Sequence, residues 1–193
     1  MGLSDMENLM RYRQGDIAGL TVLVEKYQRP LFSFVLNMTR TPAEADDVFQ
    51  EVWMRVIRRA DSFKEGSFQA WLLRIARNVM IDRFRRRKPE VSLENPAEDM
   101  EGDPMDRLPS HVAAPGDTAA AAELGGRIAA AVAELPAEQK EVFVMRVELD
   151  MPFKTIAEVQ GTSINTALSR MQYAVSRLRG LLQEEGREWG VKS

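Results

Sequence analysis

The sequence predicts an all-α protein: two small helical domains, an N-terminal helical bundle and a C-terminal helix-turn-helix domain, joined by a flexible acidic linker. Three observations carry that prediction. Apolar residues recur at spacings of three and four both before residue 88 and after residue 118, the period of a helix with one buried face. Between them, Pro89 to Gly116 holds five prolines and two glycines with no sustained period. Near the C-terminal end, a short apolar-periodic stretch, a glycine and a longer periodic stretch follow one another, the pattern of a helix-turn-helix.

Residues 4 to 14 form a short helix in this reading, with Ser4 as its N-cap. Asp16 opens a longer helix to about Met38, in which Leu20, Leu23, Val24, Tyr27, Leu31, Phe34, Val35 and Met38 share helical spacing. Pro30 lies inside it and is expected to kink or briefly break it, since proline removes one backbone donor. Thr41-Pro42-Ala43-Glu44 is a helix start, with threonine capping, proline at the first position and glutamate three residues on. The helix that follows runs to about Arg59. Its apolar stripe is Val48, Phe49, Val52, Trp53, Val56 and Ile57, and its opposite face carries Asp47, Gln50, Glu51, Met54 and Arg58.

Ala60 to Ser67 reads as a short loop flanked by Phe63 and Phe68, aromatics that either anchor the loop on the core or hold an unstacked base. The stretch Phe68 to Lys88 organises the first domain. On a helix, Phe68, Trp71, Leu72, Ile75 and Val79 fall along one stripe, and Arg74, Arg77, Asn78, Ile81 and Arg85 along another. Between Trp71 and Lys88 seven cationic residues stand against one acid, Asp82. A basic helical face with aromatics beside it is the electrostatic footprint of nucleic-acid binding; a solvated basic helix end is the plainer alternative.

Lys88-Pro89 ends that helix, because a residue before proline is biased out of helical geometry. From Pro89 to Leu124 nine acids stand against one arginine, so an acidic segment directly follows the basic helix. The single histidine, His111, lies there with no partner nearby in sequence. An alanine-rich helix from about Thr118 to Glu134 comes next, broken by Leu135-Pro136, and then a helix from Ala137 to Glu148. A short helix after Pro152 stops at Gly161, and Ser163 caps the last helix, which runs to about Gln183. Its expected buried stripe is Ile164, Ala167, Leu168, Met171, Val175, Leu178 and Leu182. Thr166, Ser169, Arg170, Tyr173 and Arg177 face the other way with no acid among them, which suits a major groove better than a plain helical hairpin.

Composition excludes several classes. The 193 residues contain no cysteine, so disulfides, thiolate metal sites and a cysteine nucleophile are out, and a reducing, cytoplasmic setting is consistent. The charged N-terminus is not a secretory signal, Met6 breaks the myristoylation pattern, and the run from Thr118 to Leu135 carries three charges, so no membrane insertion is expected. No cofactor, no catalytic residue and no resident metal is expected either, for want of a phosphate-binding glycine loop or a second carboxylate cluster.

Three stretches in order, AEADDVFQEVWMRV, SFQAWLLRIARNVMIDRFRRR and LPAEQKEVFVMRVELDMPFKTIAEVQGTSINTALSRMQYAVSRLR, resemble the two conserved regions of the extracytoplasmic-function sigma factors of bacterial RNA polymerase. The resemblance implies a region 2-like domain at 1–88, a linker at 89–117 and a region 4-like domain at 118–193. It implies a dissociable factor that binds core polymerase, through the β′ clamp and the β flap, and directs it to promoter DNA. Asp46, Asp47, Gln50, Glu51 and Met54 would then dock on polymerase, with Trp53 and Val56 in the core. Phe63, Lys64, Arg74, Arg77, Asn78, Arg83, Arg85 and Arg86 would melt and read the minus-ten element, the loop from Ser62 to Ser67 capturing a flipped base. Ser163, Asn165, Thr166, Ser169, Arg170, Tyr173 and Arg177 would read the minus-thirty-five element. An anti-sigma factor is an expected partner.

The chain departs from the family pattern at a few positions. Relatives usually read Gly-Thr-Val-Lys-Ser-Arg where it has Asn165-Thr166-Ala167-Leu168-Ser169-Arg170, so Leu168 replaces a phosphate-contacting cation. Gln160 and Thr162 replace the usual apolar residues around Gly161. Two rival readings remain. A free-standing helix-turn-helix regulator leaves the acidic face of the third helix without a role. A metal-dependent nuclease would have to build its site from Asp46, Asp47 and Glu51 alone.

Overall fold

In a computed structural model, residues 2–87 and 119–188 are described, with side chains for 2–86 and 123–183. The expected linker, His111 and the Lys88-Pro89 helix end therefore lie outside the described residues. Among those described there are eight α-helices and no strand: α1 (Asp5–Arg13), α2 (Ile17–Met38), α3 (Pro42–Arg59), α4 (Phe68–Arg87), α5 (Ala119–Ala133), α6 (Ala137–Val147), α7 (Phe153–Gln160) and α8 (Ile164–Glu188). A single 3-10 turn, Ala60–Ser62, joins α3 to the loop before α4.

Local chemistry starts and stops these helices. Ser4 and Glu7 form a reciprocal capping box, Glu7 N–H donating to the Ser4 hydroxyl at 3.2 Å and Ser4 N–H to the Glu7 carboxylate at 2.6 Å. Asp16 accepts from Ala18 N–H at 3.0 Å to start α2. Thr41 accepts from Glu44 N–H at 3.2 Å, while the Glu44 carboxylate reaches one residue further back, to Arg40 N–H at 2.9 Å. Ser67 and Ser163 cap α4 and α8 in the same way. Gly161, at φ 66° and ψ 37°, ends α7 in the left-handed region, and Thr162 N–H closes back on Ala157 C=O at 3.0 Å.

Three expectations are refined here. Pro30 lies inside α2 without breaking it, because one missing backbone donor is outweighed by the buried residues Tyr27, Leu31, Phe34 and Val35 on either side. The buried stripe of α8 also differs at its edge: Ile164 and Leu168 are 45% and 38% exposed, while Ala167 and Leu178 are buried as expected and Ala174 is buried with them. Moreover α8 continues to Glu188, past Gln183.

In the first half, Leu23, Leu31 and Phe34 of α2 meet Val48, Val52 and Val56 of α3 and Leu72, Leu73 and Val79 of α4 in one apolar core. α1 is pinned beneath α2 at Gly19, where a β-carbon would come within 2.1 Å of the Asn8 carbonyl oxygen. In the second half, Ala131, Val132, Leu135, Ala174 and Leu178 bring α5 and α8 together. Lys140, buried on α6, donates to the Ala133 carbonyl at 2.6 Å, a cation at the C-terminal end of α5.

The two halves pack on each other. α6 lies against α2, and α7 against α4. Val142, Met145, Ile156 and Val159 belong to the same continuous apolar cluster as the core of the first half. α4 is accordingly buried over more than the one stripe its sequence suggests, with Ala70, Leu73 and Ala76 buried as well.

Candidate nucleic-acid and polymerase interfaces

The loop before α4 is built around an aromatic cluster. Phe63, Phe68 and Trp71 lie with ring centroids 5.3–5.6 Å apart in tilted and edge-to-face arrangements. Phe63 is only 4% exposed, so it anchors the loop, and its ring is not free to stack on a base. Arg13 fastens the same loop from α1, donating to the carbonyls of Ala60 and Phe63. Above this base Ser62, Lys64, Gly66, Trp71 and Arg74 line an open cleft of about 340 Å³, and Glu158 of α7 stands at its edge.

The polar residues of α4 and its loop expected at DNA separate into two groups. Lys64, Arg74, Asn78, Arg85 and Arg86 are exposed. Arg77 and Arg83 are half-buried and already paired. Arg77 Nε donates to both carboxylate oxygens of Glu141 on α6, at 3.0 and 3.1 Å, and the Glu141 side chain is only 9% exposed. Arg74, though exposed, donates to the Glu158 carbonyl. Arg83 donates to Glu51 on α3 at 3.0 Å and to the Asp47 carbonyl at 3.1 Å. Arg83, expected at the minus-ten element, is thus paired with acids of α3 where that helix crosses α4.

The same crossing divides the acidic face of α3. Asp46, Asp47, Gln50 and Met54 are exposed, Met54 by 50%. Glu51 is turned toward α4, where Arg55 donates to it at 2.8 Å and Arg83 at 3.0 Å, while Arg55 also reaches Asp82 at 3.1 Å. Partial burial by itself would raise the Glu51 carboxyl; the hydrogen bonds from Arg83 and Arg55 outweigh it and hold Glu51 below its ordinary value. Two guanidinium partners leave little room for a divalent cation there. Among the described residues no group of three or more His, Cys, Asp or Glu side chains comes together to hold a metal.

On the second half, Ser163, Asn165, Ser169, Tyr173 and Arg177 are exposed along α8, with Tyr173 66% exposed, and Thr166 is half-buried. The Thr166 and Ser163 hydroxyls bond each other at 2.8 Å. Arg170 is engaged: it donates to Gln160 Oε1 at 3.0 Å and to the Glu138 carboxylate. Gln160, 7% exposed, donates in turn to the Glu138 carbonyl at 3.0 Å and to Glu141 at 2.8 Å. The Gln160 side chain thus makes three hydrogen bonds inside the fold, both N–H donors used and the oxygen accepting once. Sequence reading missed Glu141, Glu158 and Gln160 as neighbours of Arg74, Arg77 and Arg170. Arg77 and Glu141 are 64 residues apart, and no local periodicity joins them.

Comparison with known proteins agrees with this architecture. The Sigma-70 region 2 family model matches residues 23–90 and the Sigma-70 region 4 model residues 125–178. The chain is 32% identical to the ECF RNA polymerase sigma factor EcfG of Rhodopseudomonas palustris, over 82% of each chain. It is 30% identical to SigL of Mycobacterium tuberculosis, over 89% of this chain and 93% of that one, and 26% identical to SigW of Bacillus subtilis, over 92% and 96%. Among solved structures, its fold is similar to that of CnrH in complex with the cytosolic domain of CnrY, with a TM-score of 0.68 and 22% identity over 93% and 97% of the two chains. It is also similar to the sigma factor RpoE in complex with the anti-sigma factor NepR from Bartonella quintana, with a TM-score of 0.65 and 24% identity over 85% and 96%. Region 2 and region 4 matches in this order, and identity of 30% or more over most of the chain, settle the family: the chain belongs to the extracytoplasmic-function sigma factors, the promoter-specificity subunits of bacterial RNA polymerase.

Proposed function

We propose that the first half, residues 1–88, docks on core RNA polymerase through the exposed α3 ridge of Asp46, Asp47, Gln50 and Met54, and reads the minus-ten element through α4 and the loop before it. The observation that carries this reading is the cleft at Ser62–Ser67: aromatic side chains rigidify its base, and Lys64, Arg74 and Trp71 line its open side. Such a site suits one unstacked base with phosphates on either side. Asn78 is exposed one turn along α4 from Arg74 and supplies an amide for base-edge hydrogen bonds, while Arg85 and Arg86 continue the phosphate track. Arg77 joins them once released from Glu141, and Phe63 contributes by holding the loop.

The second half, residues 118–193, reads the minus-thirty-five element in the major groove with Ser163, Asn165, Thr166, Ser169, Tyr173 and Arg177, and with Arg170 once free. The segment 89–117 serves as the linker between them. Polymerase contacts through the β′ clamp and β flap hold both halves over one promoter, so that contacts too weak to act alone combine through high effective concentration. Inhibition by an anti-sigma factor in the cytoplasm is part of this reading; one similar structure is that of the sigma factor RpoE in complex with the anti-sigma factor NepR.

The test is in vitro transcription from fragmented source DNA by purified core polymerase with and without the protein. Discrete new starts, lost in the Arg74→Ala, Asn78→Ala double variant, support the assignment. Equal starts with that variant remove α4 from promoter reading.

A further inference from the structure

The wall of the base cleft, Ser62 to Ser67, is fastened at both ends. At its far end Ser67 caps α4, accepting from Ala70 N–H at 3.2 Å. At its near end the Arg13 guanidinium of α1 takes hold of the backbone. Its Nε donates to the Ala60 carbonyl at 3.1 Å, and its Nη2 donates to the carbonyls of both Ala60 and Phe63. Those two carbonyls bracket the 3-10 turn Ala60–Ser62, which also closes on itself through Phe63 N–H to Ala60 at 3.4 Å. Lys64, on the cleft, is the next residue along. The Arg13 side chain is only 22% exposed, and the acid paired with it, Asp61, lies 3.5 Å away in solvent. α1 contributes no residue to the cleft lining. It is nonetheless a rigid support: Asp5 accepts from Tyr27 at 2.5 Å and from Lys26 at 2.6 Å on α2, and Gly19 lets the two helices touch.

We propose that Arg13 is a positioning residue for base capture: from α1 it sets the Ser62–Ser67 wall, so that an unstacked base meets a preformed site. The proposal rests on the reading of this cleft as the base site. Its physical basis is preorganisation. A loop ordered before binding spares the complex the entropy of ordering it, and a wall held in one place keeps its fit to one base. Without Arg13, the buried Phe63 ring is left as the main tertiary anchor of the near end. Arginine is specific to this task. Its planar fork reaches two carbonyls at once, whereas a lysine ammonium is a point charge on a flexible stem. The Sigma-70 region 2 match begins at residue 23, so α1 and Arg13 lie outside the part of the chain that the family model describes.

The test uses holoenzyme assembled from core polymerase and the full chain. Its probes are single-stranded non-template oligonucleotides spanning the minus-ten element of a promoter mapped from its transcription start, with each nucleotide in turn made abasic. For the parent, removing the captured base should weaken binding roughly tenfold at one position. Arg13→Gln should bind the intact strand about fivefold more weakly, and its abasic penalty at that position should shrink to about twofold. Arg13→Lys should fall between the two. Arg11→Gln removes the same charge from α1 and breaks its pair with Asp16, yet should keep the full penalty. Loss of folded protein weakens all strands alike, so a smaller penalty at one base reads positioning rather than stability. In the free chain, amide hydrogen exchange over 60–67 should quicken in Arg13→Gln while α2 and α3 stay protected. An undiminished abasic penalty in Arg13→Gln, or unchanged exchange over 60–67, would overturn the role of Arg13 and leave the cleft as the base site. A parent indifferent to every abasic position removes the base site itself, and the role of Arg13 in capture with it.

Discussion

Arg83 and Glu51, 32 residues apart, meet at 3.0 Å and fasten α4 to α3. The first carries a charge suited to DNA and the second a charge suited to a basic partner, yet in the fold each neutralises the other. Glu51→Gln removes the charge that Arg83 and Arg55 share and one of the two oxygens they use, and is expected to cost about 1–2 kcal/mol at neutral pH. The Glu51 carboxyl is held low in the folded chain, so its contribution is present above its ordinary value of 4.5 and disappears as pH falls through the depressed folded value. Urea unfolding of the parent and the variant at pH 7 and in the acid range checks this: the two curves should converge on acidification.

Tyr27 gives the opposite pH signature. Burial first, and then its hydrogen bond to Asp5 at 2.5 Å, push its hydroxyl up to about 12. Its contribution is intact below the unfolded value near 10 and is lost as pH rises toward 12, because only the unfolded chain gives up the proton readily. A shift of this size corresponds to about 2–3 kcal/mol of alkaline destabilisation, which Tyr27→Phe should abolish. Denaturant midpoints of parent and variant between neutral pH and the alkaline limit measure it.

Gly19 is where α1 and α2 touch most closely. A methyl group there would lie 2.1 Å from the Asn8 carbonyl oxygen, which is backbone and cannot swing away. Gly19→Ala should therefore destabilise by about 2–3 kcal/mol through displacement of α1, despite alanine's higher helix propensity. A matched change at Gly126, where nothing lies within 4 Å, should be neutral or slightly stabilising. Thermal unfolding of the two variants separates close packing from propensity.

Leu168 is 38% exposed on α8, beside Ser169 and one turn from Asn165, so a charged side chain fits without disturbing the core. Leu168→Lys should leave stability within about 0.5 kcal/mol of the parent. In the holoenzyme it should strengthen duplex binding over the upstream element and steepen the salt dependence by about one unit of slope. Binding isotherms at several salt concentrations provide both numbers; an unchanged slope would place Leu168 away from the phosphates.

Helices, caps and turns were legible in the chain because each is decided within one or two turns of backbone. Ser4 with Glu7, Thr41 before Pro42, and Gly161 before Ser163 fix ends by hydrogen bonds spanning two to five residues. The all-α class and the two groups of helices follow from the same local periodicity. The edge of a buried stripe was less legible: Ile164 and Leu168 are apolar by type but lie where no neighbouring helix covers them. Likewise, nothing in the sequence says whether Phe63 turns to solvent or inward, and the rings of Phe68 and Trp71 decide that it turns inward.

Two groups of helices, a cationic ridge on α4, an acidic ridge on α3 and a helix-turn-helix can all be read from the chain, since charge and apolar period are properties of single helices. Which of those charges stay free depends on packing. Arg85 and Arg86 remain in solvent while Arg77 and Arg83 are taken by Glu141 and Glu51. That choice depends on where helices distant in sequence cross, because a charged pair forms only where packing brings two side chains within hydrogen-bond reach.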